Sequence, residues 1–123
     1  MLGGIGAGGL VVQIILGFAL AHTGDPKGSA LIYPHVLIGV AGLALVAFLA
    51  VNIFRTPSLM TVRFVYVLAL VFTLAQVALG FLLLGSPGAG VLMAHQGIAL
   101  LILVLMAAAG ALSARSRRTP PAP

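Results

Sequence analysis

Four long apolar runs, covering about residues 3–21, 33–54, 59–84 and 91–112, alternate with short stretches of polar and turn-forming residues. An α-helix rises about 1.5 Å per residue, so each run is long enough to cross the ~30 Å hydrocarbon core of a bilayer. The breaks are His22-Thr23-Gly24-Asp25-Pro26-Lys27-Gly28-Ser29, then Arg55-Thr56-Pro57-Ser58, then Gly85-Ser86-Pro87-Gly88-Ala89-Gly90. Glycine, proline and short polar residues end helices and form turns, and connections this short make neighbouring helices antiparallel. The pattern predicts an all-α fold: an integral-membrane four-helix bundle occupying residues 1–112. The segment 113–123, with Arg115, Arg117, Arg118 and three prolines, is expected to be a disordered basic tail.

Composition sharpens this picture. Of the 123 residues 62% are hydrophobic and 6% charged, whereas a water-soluble domain needs roughly a quarter of its residues charged to cover its surface. Lipid is the remaining solvent, and membrane lipid is the first partner implied. The absence of cysteine removes disulfides, iron–sulfur ligation and covalent c-type heme attachment. Asp25 is the single acid, so carboxylate-rich metal sites and paired-carboxylate hydrolysis are excluded as well. Three histidines are left as the chemistry-bearing groups. The net charge of +5 comes without a basic stripe interleaved with aromatics, so nucleic acid is not an expected partner. The charge reads as topology: Arg55, Arg63, Arg115, Arg117 and Arg118 share one side and Lys27 stands on the other. Both termini are therefore expected in the cytoplasm, in the cell membrane. Ala19-Leu20-Ala21 resembles a signal-peptidase site, but no Lys or Arg precedes the apolar run, and the segment is expected to be retained.

An internal repeat carries the functional reading. Gln13-Ile14-Ile15-Leu16-Gly17-Phe18 recurs as Gln76-Val77-Ala78-Leu79-Gly80-Phe81, with four of six residues identical. His35 follows Gln13 by 22 residues and His95 follows Gln76 by 19, across the next outer loop in each case. Each helical hairpin is one copy, and two copies entering the membrane in the same direction pack about a pseudo-two-fold axis along its normal. That axis carries His35 onto His95, near the outer face. Two neutral imidazoles facing each other are what a six-coordinate heme iron requires. Gly39, Gly97 and Ala99 are small residues beside the histidines, while Gly17 and Gly80 thin the first and third helices. Gln13 stands nine residues before His22, which places it ~14 Å deeper in the membrane.

Plainer roles stay open beside each of these. His35 and His95 could reside among headgroups or bond between helices; His22 suits the lipid–water boundary, with a propionate or substrate contact as its other role. The glycines serve close packing and the glutamines interhelical hydrogen bonding in many membrane proteins. Arg63 is expected to snorkel, and Tyr33 and Tyr66 to sit at the two interfaces.

The order of these residues resembles one half of a heme A synthase. The carriers of the resemblance are Gln13-x-x-x-Gly17 leading to His22-Thr23-Gly24, a histidine opening the second helix, and another near the start of the fourth. The family has eight spans in two homologous four-helix halves, each with a histidine pair on its second and fourth helices. The resemblance thus implies that His35 and His95 are the axial pair of a half, and that His22-Thr23-Gly24 is the turn after its first helix. The chain departs from the family in three features. Ile32 stands where the catalytic half has a carboxylate, Ala21 where a basic residue is usual, and the outer-loop cysteine pair is missing. The resemblance therefore implies a holder of non-covalent heme b, acting in electron transfer or in heme A formation and cytochrome oxidase assembly, with synthase-type oxidation of a heme methyl group left open. Partners on this reading are a second copy of the chain, a respiratory complex, or a substrate heme. The alternative is a structural or assembly subunit of a respiratory membrane complex with no cofactor of its own.

Overall fold

The computed structural model describes residues 2–24, 28–55, 60–85 and 88–118, with side chains described from residue 8 to 115 within those ranges. Four helices account for nearly all of them: α1 (Leu2–Ala21), α2 (Ile32–Arg55), α3 (Met60–Gly85) and α4 (Ala89–Arg118). The expected bounds hold to within a residue or two except at the end of α4. That helix runs six residues into the segment expected to be disordered. Ala111-Leu112-Ser113-Ala114-Arg115 contains good helix formers and the first proline comes only at Pro120, so nothing breaks the helix at residue 112. Asp25, Lys27, the loop at 56–59 and the tail at 119–123 lie outside the described residues.

Local chemistry sets the helix ends that matter for the site. α1 closes with Thr23 Oγ1 donating to the Leu20 carbonyl over 2.8 Å and His22 Nδ1–H donating to the Phe18 carbonyl over 2.7 Å. Gly24 then turns left-handed at φ +73°, a conformation that costs glycine nothing and redirects the chain after a helix C-terminus. At the start of α2, Pro34 occupies the first turn, where no backbone donor is needed. His35 is the residue whose N–H bonds back to the Leu31 carbonyl, at 3.2 Å, so its side chain starts from ordered backbone. The Gly88 carbonyl accepts from Val91 and Leu92 at 3.0 and 3.2 Å and opens α4 in the same way.

Each helix lies beside two others, α1 beside α2 and α4, α3 beside α2 and α4; among the described residues only side chains reach across the diagonal. The molecule is thus a four-cornered bundle of two antiparallel hairpins. Its buried hydrophobic cluster joins Val46 and Ala50 of α2, Val62, Tyr66 and Ala69 of α3, and Ile102, Met106 and Ala109 of α4. These residues come from the ends of α2 and α4 and the beginning of α3, so the apolar core fills the end of the bundle that holds the termini. Tyr66 is 8% exposed within it; its ring is inside the bundle rather than turned to the headgroups, while Tyr33 is exposed as expected. Large hydrophobic side chains cover the outside, among them Ile15, Leu37, Phe64, Phe81 and Val104. α2, α3 and α4 are each long and apolar enough to cross a membrane. An apolar exterior of this kind marks a membrane protein, because water would leave it unsolvated. Arg63, near the start of α3, lies with its guanidinium 5.9 Å from the centre of the Phe54 ring, a cation–π arrangement.

Candidate functional site

The end of the bundle opposite the termini is organised around polar groups. There the Gln13 side-chain amide of α1 donates to Nε2 of His35 on α2 at 3.5 Å, the long limit of hydrogen bonding. In the second hairpin Gln76 of α3 donates to Nε2 of His95 on α4 at 3.1 Å. The two copies of the sequence repeat therefore build the same interhelical pair, as the pseudo-two-fold relation requires. The pairs meet at the bundle centre, where the His35 and His95 rings lie 6.3 Å apart between centroids and tilted by 57°.

Glycines make room for this contact. A Cβ on Gly17 would stand 3.0 Å from His35 Cε1, and one on Gly80 would stand 3.4 Å from His95 Cε1. Gly39 serves Gln13 instead: its Cβ would lie 3.0 Å from the amide nitrogen. The helical spacing explains the grouping. Gln13 and Gly17, like Gln76 and Gly80, are one turn apart on one helix face, so one contacts Nε2 while the other borders the adjacent ring atom. Ala99 is the small, buried residue one turn below His95. Gly97, expected beside it, is exposed with nothing within 4 Å of a Cβ; two residues along a helix from His95 it faces outward. His22 does not join the pair. It stacks on Phe18 of its own helix with ring centres 5.1 Å apart and is exposed.

Hydrogen bonding at the site is incomplete. Gln13 Oε1, His35 Nδ1, Gln76 Oε1 and His95 Nδ1 are buried without a partner among the described residues. Leaving such an atom buried and unmade costs about 1–3 kcal/mol, and in a bilayer interior water does not offset it. A ligand offering polar contacts would recover part of that cost.

The ring separation also suits a shared metal. Two metal–imidazole bonds of about 2 Å, plus about 1 Å from each nitrogen to its ring centre, span about 6 Å. Charge limits which metal group fits. The chain has a single acid, Asp25, which lies outside the described residues, so a bare divalent ion here would bring uncompensated charge into an apolar interior, costing several kcal/mol. Ferrous iron inside a dianionic macrocycle has its charge cancelled at the metal. Among the described residues no cluster of three or more His, Cys, Asp or Glu side chains forms a metal site, and two histidines with a macrocycle need none. Shallow apolar grooves at Ile32, Val36 and Val40 and at Phe54, Arg63 and Val67 lie elsewhere on the surface.

Comparison with protein-family models, curated proteins and solved structures finds no match to this chain.

Proposed function

We propose that this protein is a membrane b-type cytochrome, with His35 and His95 as the axial ligands of one non-covalently held heme b. The observation that carries the reading is the central pairing of two imidazoles 6.3 Å apart, each delivered by one copy of the repeat and each bordered by a glycine. Heme, if bound, would supply one-electron transfer, and His35 and His95 are the residues that would hold its iron. The residues' own contribution is to hold two neutral imidazoles on opposite helices, to seat those rings against Gly17 and Gly80, and to exclude water with apolar helices. The basic flanks support both termini in the cytoplasm and the site toward the outer face.

The resemblance to a heme A synthase half supports a place in heme A formation or cytochrome oxidase assembly. Ile32, in place of the family's carboxylate, favours electron transfer over oxidation of a heme methyl group. The test is the reduced-minus-oxidised spectrum of the protein purified in detergent. Wild type should show a six-coordinate low-spin heme, and His35→Ala and His95→Ala should each lose it, with mass spectrometry of the extracted pigment separating hemes b, o and a. Undiminished heme and an unchanged low-spin spectrum in either variant would overturn the assignment.

One observation favours a second reading, a structural subunit without a cofactor: both Nε2 atoms are already bonded to glutamines, so the pairs can act as interhelical clasps. That protein would purify colourless and with larger partners.

A further inference from the structure

The repeat keeps a glutamine and a glycine one turn apart in both hairpins, and heme ligation by the histidines does not by itself account for the glutamines. Nor does a need for polar contacts, since each glutamine leaves its own carbonyl oxygen unpartnered. We propose that Gln13 and Gln76 are positioning residues that hold His35 and His95 in one tautomer, with the proton on Nδ1 and the lone pair on Nε2. The inference rests on the cytochrome reading for its purpose, while the tautomer can be measured without any cofactor.

A neutral imidazole carries one N–H and one acceptor nitrogen. An amide nitrogen only donates, so the contacts at 3.1 Å to His95 Nε2 and 3.5 Å to His35 Nε2 require a lone pair on each Nε2. The proton is then on Nδ1. Nδ1 of neither ring has a hydrogen-bond partner among the described residues, so the side-chain contact at Nε2 is the one that bears on the tautomer. The glycines hold the arrangement in register. Gly17 and Gly80 admit Cε1, the ring atom next to Nε2, and Gly39 seats the Gln13 amide; the matching position in the second hairpin is Ala99, so this notch is particular to the first.

The consequence is chemical. A metal takes an unprotonated imidazole nitrogen, and the other nitrogen keeps the hydrogen. With the lone pair on Nε2, that nitrogen is the one that would hold a metal once the amide N–H moved off it; the opposite tautomer would first have to shift its proton to Nδ1. A carboxylate there would accept from Nε2–H and select the opposite tautomer, which explains why glutamine suits both copies in a chain with almost no acids.

Nitrogen-15 NMR of the full chain labelled at histidine, in detergent without added cofactor, tests this, with His22→Gln assigning the third resonance. Wild type should report Nδ1–H at both His35 and His95. Gln76→Leu should raise the Nε2–H share of His95 about fivefold, the factor one hydrogen bond confers, and leave His35 unchanged; Gln13→Leu should do the reverse. Circular dichroism checks the helices, and Gln→Met replaces any leucine variant that does not fold. Nε2–H at either position in wild type, or an unchanged tautomer in the folded variants, overturns the proposal. Hemin titration of the same wild-type sample separates the two readings: the Nδ1–H tautomer without hemin binding overturns the cytochrome and not the glutamines' role.

Discussion

At the scale of residues, the glycines of this chain divide by what a methyl group would meet. Gly17→Ala puts a Cβ 3.0 Å from His35 Cε1, and Gly39→Ala puts one 3.0 Å from the Gln13 amide nitrogen. Overpacking against the His35 ring costs about 1–3 kcal/mol, so Gly17→Ala should unfold at lower denaturant in detergent and, if the proposed cytochrome reading holds, retain less heme; the Gln13 amide ends a flexible side chain and can shift, so Gly39→Ala should cost less. Gly80→Ala, at 3.4 Å, should show the same defect more weakly. Gly42→Ala meets nothing within 4 Å and should be neutral or gain up to about 1 kcal/mol of helix stability. A Gly17→Ala protein indistinguishable from Gly42→Ala in both measurements would remove the histidine from its proposed seat. Composition alone could not separate these positions, because sixteen glycines look alike in one dimension. Gly97 shows the limit: nearness to His95 in sequence suggested a neighbour, but two helical residues turn the backbone about 200° and point it away.

At the scale of elements, helix existence was legible because a continuous apolar run of this length satisfies its own backbone groups in a bilayer as a helix. The end of α4 was not. Hydropathy falls at residue 112, but helix propensity does not, and the helix follows propensity as far as Arg118. Packing between elements depends on small residues that hydropathy barely weighs. Ala69 and Ala109 are 0% exposed, in α3 and α4, where backbones approach closely because the side chains are short. Ala109→Leu should force those helices apart and cost about 1–3 kcal/mol, read as a lower unfolding midpoint; wild-type stability would show that the contact is looser than its burial indicates. Thr73 is buried, but its hydroxyl donates to the Ala69 carbonyl of the same helix at 2.8 Å. Among the described residues it has no hydrogen-bond partner on another helix, so Thr73→Val should change stability by less than about 1 kcal/mol.

At the scale of the whole molecule, the four helices place the start of α1 and the end of α4 at one end and the two histidines at the other. The chain has no cysteine, so single cysteines report its topology cleanly. Ser29→Cys and Gly88→Cys should react with a membrane-impermeant maleimide on intact cells, and Arg115→Cys only after permeabilisation; the reverse pattern would invert the proposed orientation. The sequence by itself determined the helical class, the number of helices, the antiparallel hairpins and the repeat, because span length, turn residues and identity at fixed offsets are all one-dimensional properties. It also nominated His35, His95, Gln13 and Gln76, since polar groups in apolar runs stand out. Only the tertiary structure decided that each glutamine pairs with the histidine of its own hairpin, that Gly39 serves a glutamine rather than a histidine, that Tyr66 turns inward, and that His22 stays with its own helix. Those outcomes depend on the rotation of each helix about its axis. A run that is apolar on every face does not encode that rotation; the contacts at the bundle centre set it.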